Sequence, residues 1–407
     1  MKNTFRIVLF SSATFVATAL FPLKDALGAE LCRDVLIEQH DITAEVKAYD
    51  ASQRYSQKIR DNTEDYWDFS RKYSSPVFDL LKKHVGLIAG DNHAGNFIFG
   101  SLNGKLSYFL ADIKDSGRAP YVYDIARLVV NTDAVVSKSL DIKFKLLAKT
   151  ILDSYILGLE GKQIPVPISM APAFSTSRET FITSYREYID GKVKKGHLKI
   201  KPGKLELIPD TPEMKKSVSD MTDFLKKEFP NAEIIDFAIR PKERGGSKER
   251  LRFWSLIKEN GLYDIIEFKE VGPPATAKYR RQDAPEHRYE EIMETFWPDR
   301  DPFYQLIHLA NKPFETRRKK VDVMSVPYKQ KTPQDLQLLM DMASYAANHT
   351  GQLHAKTLPD GEYLAEVKKL MPDFIEELKS FKKSYKLHLE TEIMTINEPV
   401  LREVGEE

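Results

Sequence analysis

VGLIAGDNHAGNFIFGSLNGKLSYFLADIKDSGRAPYVYDIARL, Val85–Leu128, is the stretch on which the fold turns. It opens with an apolar run, Val85–Ala89, read as a short strand, and breaks at Gly90. Asp91, His93 and Asn96 follow at once. Phe97–Phe99 and Leu106–Leu110 are two further apolar runs, and the segment between them contains Asn103-Gly104. Asn-Gly between such runs predicts a β-hairpin, because both residues tolerate positive φ. Asp112 comes directly after the second run. A hairpin returns the end of its second strand to the start of its first, so Asp91, Asn96 and Asp112 are expected to converge. A carboxylate such as Asp91 can accept a proton from a hydroxyl. The Asn96 amide oxygen and the Asp112 carboxylate are hard oxygen ligands that suit Mg²⁺. Phosphoryl transfer needs such parts, because its catalysis is mostly positioning and charge neutralisation. A cap on a tight turn is the plainer reading of Asp91 and Asn96.

The same block resembles a family. Gly90–Asn96, GDNHAGN, resembles the catalytic loop of aminoglycoside phosphotransferases and related kinase-like enzymes, which read roughly H-G-D-x-H-x-x-N. Leu110–Asp115, LADIKD, resembles their metal-binding Asp segment, and Tyr123–Leu128, YDIARL, their following helix. The block is also similar to an uncharacterised bacterial family with G-D-x-H-x-x-N, then D-F-D-E, then D-x-x-R-L. Here the D-F-D-E segment is Asp112-Ile113-Lys114-Asp115, so lysine replaces one acid. The resemblance implies Asp91 as the catalytic acid–base residue and Asn96 and Asp112 as metal ligands. It implies that Asp124 braces the catalytic loop. His93 is either a catalytic partner or a histidine that braces the loop.

Residues 231–330 change character. Ile234–Ile239, Leu251–Ile257 and Tyr263–Phe268 read as strands, with Asn260-Gly261 as a second hairpin turn and Arg244-Gly245-Gly246-Ser247 as a flexible loop. The third strand ends in Lys269-Glu270. Strand, Gly-rich loop, strand, turn, strand, lysine is the order in which a kinase small lobe begins. That resemblance makes Gly245, Gly246 and Ser247 a phosphate lid and Lys269 the residue that holds the inner phosphates of ATP. Glu290, Glu291 and Glu294, on a helix read over Arg288–Phe296, are candidates to pair with Lys269. Ordinary kinases place the Gly-rich loop before the catalytic loop; here it follows. The expected fold is therefore α+β, a kinase-like two-lobed architecture with a circularly permuted order. Residues 30–230 form a helical large lobe with the catalytic hairpin, residues 231–330 a small antiparallel sheet lobe, and residues 331–407 closing helices.

The remaining chain fits around this. Across 407 residues the net charge is +1, which gives no reason to invoke nucleic acid. Met1–Ala29 reads as a cleaved signal peptide: Lys2 and Arg6, an apolar run Ile7–Leu20, then Leu27-Gly28-Ala29. An uncleaved anchor is the alternative. Export to the periplasm or beyond is the expectation, with no stable membrane insertion after cleavage. Cys32 is the one cysteine, so no internal disulfide framework can form, and Ala29-Glu30-Leu31 before it is a poor lipobox. Helices are expected over much of 34–83, over Val129–Val136, Ile142–Leu159, Glu179–Ile189, Glu213–Phe229, Asp335–Leu353 and Tyr363–Ile396, and strands over Phe303–Ala310 and Val321–Val326. The basic run Lys192–Lys204 reads as a solvated surface. His349, His354 and Lys356 receive no chemistry.

Three functions remain open at this stage. One is an exported phosphotransferase using ATP and Mg²⁺ on an unknown hydroxyl acceptor. Another is a kinase-like module that binds nucleotide or peptide without turnover. The third is a metal-dependent phosphoester hydrolase, which Asp91-Asn92-His93 could open but which lacks a Gly-Asn-His element, since Phe97 follows Gly95-Asn96. ATP is scarce outside the cytoplasm, which sets export against the first.

Overall fold

The computed structural model describes residues 57–102, 105–136, 143–175, 178–241, 250–298, 303–319, 323–324 and 333–397, which belong to one folded unit. The signal-peptide reading, Cys32 and the loop Gly245, Gly246, Ser247 lie outside the described residues. No helix among the described residues is long and apolar enough to cross a membrane.

In chain order the helical part begins with α1 (Thr63–Lys72) and α2 (Pro76–Leu81), then β1 (Val85–Ile88), β2 (Phe97–Leu102), β3 (Lys105–Leu110) and β4 (Gly117–Pro120). Next come α3 (Tyr121–Val136), α4 (Phe144–Leu159), the short α5 (Ala171–Phe174) and α6 (Arg178–Asp190). A small hairpin, β5 (Val193–Lys194) and β6 (His197–Leu198), leads to α7 (Pro212–Glu228). Then follow β7 (Glu233–Ile239), β8 (Arg252–Glu259), β9 (Leu262–Glu270), α8 (Pro285–Phe296), β10 (Leu306–Leu309), β11 (Lys312–Arg318) and β12 (Val323–Met324). Two long helices close the chain, α9 (Pro333–Ala355) and α10 (Glu362–Asn397). The fold is α+β, 53% helical and 19% strand, and among the described residues every strand pairing is antiparallel.

Local chemistry explains the elements that carry the site. Ser75 caps α2 by accepting from Phe78 N, and Pro76 enters the first turn, where its missing N–H is no loss. The hairpin β2–β3 pairs Phe97 with Leu110 through to Leu102 with Lys105. That register places Asn96 beside Ala111, whose N–H donates to the Asn96 carbonyl at 2.7 Å. β1 pairs with β4, a four-residue strand too short and too Gly/Pro-rich to read from sequence. α3 is buried along its whole length, including Asp124 and Arg127. α4 and α9 pack face to face through glycines: a Cβ at Gly158 would lie 2.0 Å from Asn348 O, and one at Gly351 would lie 2.3 Å from Tyr155 O. Only glycine allows two helix backbones to approach that closely.

The larger sheet has the order β10-β11-β9-β8-β7. Asn260 and Gly261 take φ of +50° and +80°, the paired left-handed turn that their identities demand. One face of this sheet buries Phe253, Ile257, Ile266, Phe268 and Phe314 against Met221 and Leu225 of α7. Its outer hairpin corrects the sequence reading. A strand was expected over Phe303–Ala310, but β10 covers only Leu306–Leu309 and turns at Ala310-Asn311, with φ of +46° and +67°. Of the expected strand Val321–Val326, residues 323–324 are described; they form β12, which joins β2. The partner of β10 and β9 is β11, whose sequence KPFETRR is too charged to look like a sheet-interior strand.

Candidate active site

β1 stops at Gly90, which takes φ of +77° and leaves no room for a side chain: a Cβ there would meet Asp115 O at 1.9 Å. The loop that follows is held from beneath by Asp124, in the first turn of α3. Its carboxylate accepts from Ala89 N (3.0 Å), Gly90 N (2.9 Å) and Asn92 Nδ2 (3.4 Å). His354 Nε2 on α9 donates to the same group at 3.1 Å, and its Nδ1 meets the Tyr155 hydroxyl at 2.8 Å. Asp124 and His354 are both fully buried. A buried carboxylate persists only with such a set of donors. His354, which carried no chemistry in the sequence reading, is therefore the fourth strut of the loop.

Asp91 leads the loop. Its Oδ1 accepts from Arg127 Nη2 (2.6 Å) and Nε (3.1 Å) and from Thr63 Oγ1 (3.3 Å). Arg127 lies one helical turn after Asp124 and also donates to Ile59 O and Thr63 Oγ1. Burial alone would push the Asp91 carboxyl up, but Arg127, then His93 and Lys114, hold it well below the usual carboxylate range. His93 Nε2 stands 3.7 Å from Asp91 Oδ2. Burial pushes the His93 imidazole down, with Asp91 opposing.

Asn96 closes the loop in a single 3₁₀ turn, Ala94–Asn96. Its Nδ2 donates to Asp91 O (3.1 Å) and Asp112 O (3.3 Å). That commits the amide nitrogen and turns Oδ1 into the free end. Asp112 Oδ1 accepts from Lys114 N and from Lys269 Nζ, each at 3.2 Å. Burial favours its neutral form, but the Lys269, Lys114 and Arg317 charges outweigh that and hold it well below the ordinary range. Lys114 itself donates to Asp115 Oδ2 at 2.7 Å, and Asp115 Oδ1 accepts from Ala275 N at 3.0 Å.

Lys269, at the end of β9, is 3% exposed and bridges Asp112 Oδ1 (3.2 Å) and Glu315 Oε1 (2.9 Å). Its glutamate is therefore not Glu290, Glu291 or Glu294 of α8. Glu290 and Glu294 are exposed, and Glu291 pairs with Arg118. The sheet register decides this: Glu315 of β11 lies directly opposite Lys269. α8 contributes Tyr289 instead, whose hydroxyl donates to Glu315 Oε2 at 3.0 Å.

The structure thus gathers Asp91, His93, Asn96, Asp112, Asp124 and Lys269 at one place, from both ends of a 157-residue separation. Arg127, Glu315 and His354 are the participants without a role in the sequence reading. Asn96 Oδ1 and Asp112 Oδ2 meet no protein donor among the described residues. As two hard oxygens on adjoining backbone segments, they fit a Mg²⁺ site. Comparisons with family models, curated proteins and solved structures return no match.

Proposed function

We propose that the chain is a Mg²⁺-dependent phosphotransferase of kinase-like architecture, using a phosphoanhydride donor of the ATP class and a hydroxyl acceptor. In this reading the small sheet is encoded after the catalytic hairpin, as a circular permutation. The observation that carries it is Lys269 Nζ at 3.2 Å from Asp112 Oδ1. A lysine buried on a sheet and a candidate metal-binding carboxylate after a hairpin meet at one point, although the sequence separates them widely.

Bound at Asn96 and Asp112, Mg²⁺ would neutralise phosphate charge. Lys269 would exchange its contact with Asp112 for the inner phosphates, remaining aligned by Glu315. Asp91 positions the acceptor hydroxyl. Arg127 keeps it ionised, which makes it a weak base; its main work is to orient the nucleophile, and it takes the proton only late, as expected for a loose phosphoryl transfer. Asp124 and His354 keep the loop from shifting. Lys114 stands where the resembling family carries an acid, so the chain offers one fewer carboxylate and suits a single cation. Cleavage of Met1–Ala29 as a signal peptide would put this activity outside the cytoplasm.

The test is transfer of the terminal phosphoryl group from ATP with Mg²⁺, scored as hydrolysis where no acceptor is supplied. Wild type should release phosphate only with Mg²⁺. Asp91→Ala should lose about a hundredfold or more in rate with less loss of donor binding, and Asp112→Asn should lose the Mg²⁺ dependence. Unchanged turnover in both variants would end the proposal.

A further inference from the structure

Strand alternation puts a run of charges on one face of the large sheet. In register, Arg252 and Glu315 flank Lys269, while Trp254 and Arg317 flank Glu267. Residues opposite one another in a sheet project from the same side. Arg240, just after β7, and Lys319, just after β11, join them. Glu267 is fully buried. It accepts from Arg317 Nε (2.7 Å), Lys319 Nζ (2.9 Å) and Trp254 Nε1 (3.0 Å), with Arg240 and Arg252 at 3.7 and 3.8 Å. Around Lys269 and Glu267 this face therefore sets Arg240, Arg252, Lys269, Arg317 and Lys319 against Glu267, Glu315 and the adjoining Asp112, with Asp236 and Glu233 farther along it.

Three arginines and Lys319 share the one Glu267 carboxylate, and part-buried charge that is only partly balanced is unfavourable. The crowding is visible in Lys319, pushed down to about 7 by burial and by Arg317, with Glu267 only partly opposing. The surplus adjoins the site: Lys269 touches Asp112, and Arg317 and Lys114 act on the same carboxylate. A purine, by contrast, needs a flat apolar slot. Trp254, the ring beside these charges, is 3% exposed and has Arg240 at 5.0 Å and Lys319 at 5.8 Å from its centroid. It offers no free face for a base.

We propose that this face binds a chain of phosphate groups, so that the donor's non-transferred end is anionic and runs from Lys269 across Arg252 and Arg317 to Arg240. The assignment of a reacting end rests on the phosphotransferase reading; the binding itself does not.

The experiment is calorimetric titration of the full chain, with Mg²⁺ at about 0.1 M salt, using orthophosphate, inorganic tripolyphosphate, linear pentapolyphosphate, ATP and adenosine. Pentapolyphosphate should bind about tenfold tighter than tripolyphosphate or ATP, and adenosine should give no heat. Arg240→Gln with Arg252→Gln should weaken pentapolyphosphate about tenfold while leaving tripolyphosphate within about twofold. Both side chains sit at the edge of the Glu267 cluster, which spares its closest pairs. If the double variant does not fold, Arg240→Gln alone should give about a threefold loss. Lys199→Gln, Lys201→Gln and Lys204→Gln together, in the exposed basic run, should change nothing. ATP binding tighter than pentapolyphosphate, or measurable adenosine binding, would overturn the proposal. So would pentapolyphosphate affinity that falls in the Lys199, Lys201 and Lys204 variant rather than in the arginine variants. Pentapolyphosphate binding as expected, with no phosphoryl transfer from any donor, would refute the phosphotransferase reading alone.

Discussion

Two buried carboxylates, Asp124 and Glu267, show how differently this chain treats charge. Asp124 is met mainly by neutral N–H donors and one imidazole, each aimed at an oxygen, and it fixes a loop. Glu267 is met by four cations, more than its one charge can balance. The first arrangement is saturated, as a positioning element has to be. The second keeps unused capacity, as a binding surface has to. Asp91 lies between the two: a single arginine matches it on one oxygen, and its other oxygen has His93 Nε2 3.7 Å away.

The largest effect should come from the saturated carboxylate. Asp124→Ala strands two backbone N–H groups, the Asn92 amide and His354 in a dry interior, and should destabilise by about 4 kcal/mol in chemical denaturation. Asp124→Asn, which keeps one acceptor oxygen, should lose about half as much. Equal losses would mean that the charge, not the hydrogen-bond pattern, does the bracing.

Glu267→Gln removes the carboxylate that Arg240, Arg252, Arg317 and Lys319 all contact and should cost about 3 kcal/mol. Added polyphosphate should raise the melting temperature of any variant that keeps the face, and by more in this variant, where it also replaces the lost charge, than in Asp124→Ala. Equal rescue of both variants would erase the distinction between the two carboxylates.

The next effect reads the surplus directly through pH. The folded-state value of Lys319, about 7, lies below its ordinary 10.5. Between those values the unfolded chain holds a proton that the folded chain lacks, so stability rises with pH, and the penalty is complete below the lower value. Relative to Lys319→Met, wild type should gain about 2 kcal/mol from about pH 7 to about pH 9 in parallel denaturation curves. Parallel behaviour of the two proteins would mean that the cluster is electrostatically balanced.

The smallest effect should come from a pair outside both clusters. Arg118 and Glu291 are 45% and 35% exposed, so Arg118→Ala should change stability by no more than about 0.5 kcal/mol.

Much of this was legible where local chemistry decides. Asn103-Gly104 between apolar runs predicted the β2–β3 hairpin, and the convergence of Asp91, Asn96 and Asp112 followed from its return. The strands β7 to β9 and their Asn260-Gly261 turn stood out for the same reason. What stayed hidden is set by tertiary contacts. β11 alternates Phe314 and Thr316 with Glu315 and Arg317, so its charged half masks its strand pattern. Glu315 reaches Lys269 only because two strands align, and no local spacing connects them. His354 reaches Asp124 across 230 residues, through the packing of α9 beneath the loop. Arg127 had a local signal, one helical turn from Asp124, but its target Asp91 lies on another element.

The central claim is that Asp112 and Lys269 belong to one Mg²⁺–phosphate site. Its most direct measurement is the linkage between Mg²⁺ and tripolyphosphate in calorimetric titrations of wild type, Asp112→Asn, and the charge-matched pair Lys269→Met with Glu315→Gln. Each ligand should tighten the other about tenfold or more in wild type. That coupling should vanish in Asp112→Asn, while the Lys269 variant should lose phosphate affinity with or without the metal. Tripolyphosphate binding that ignores Mg²⁺ in wild type, or coupling that survives Asp112→Asn unchanged, would contradict the account.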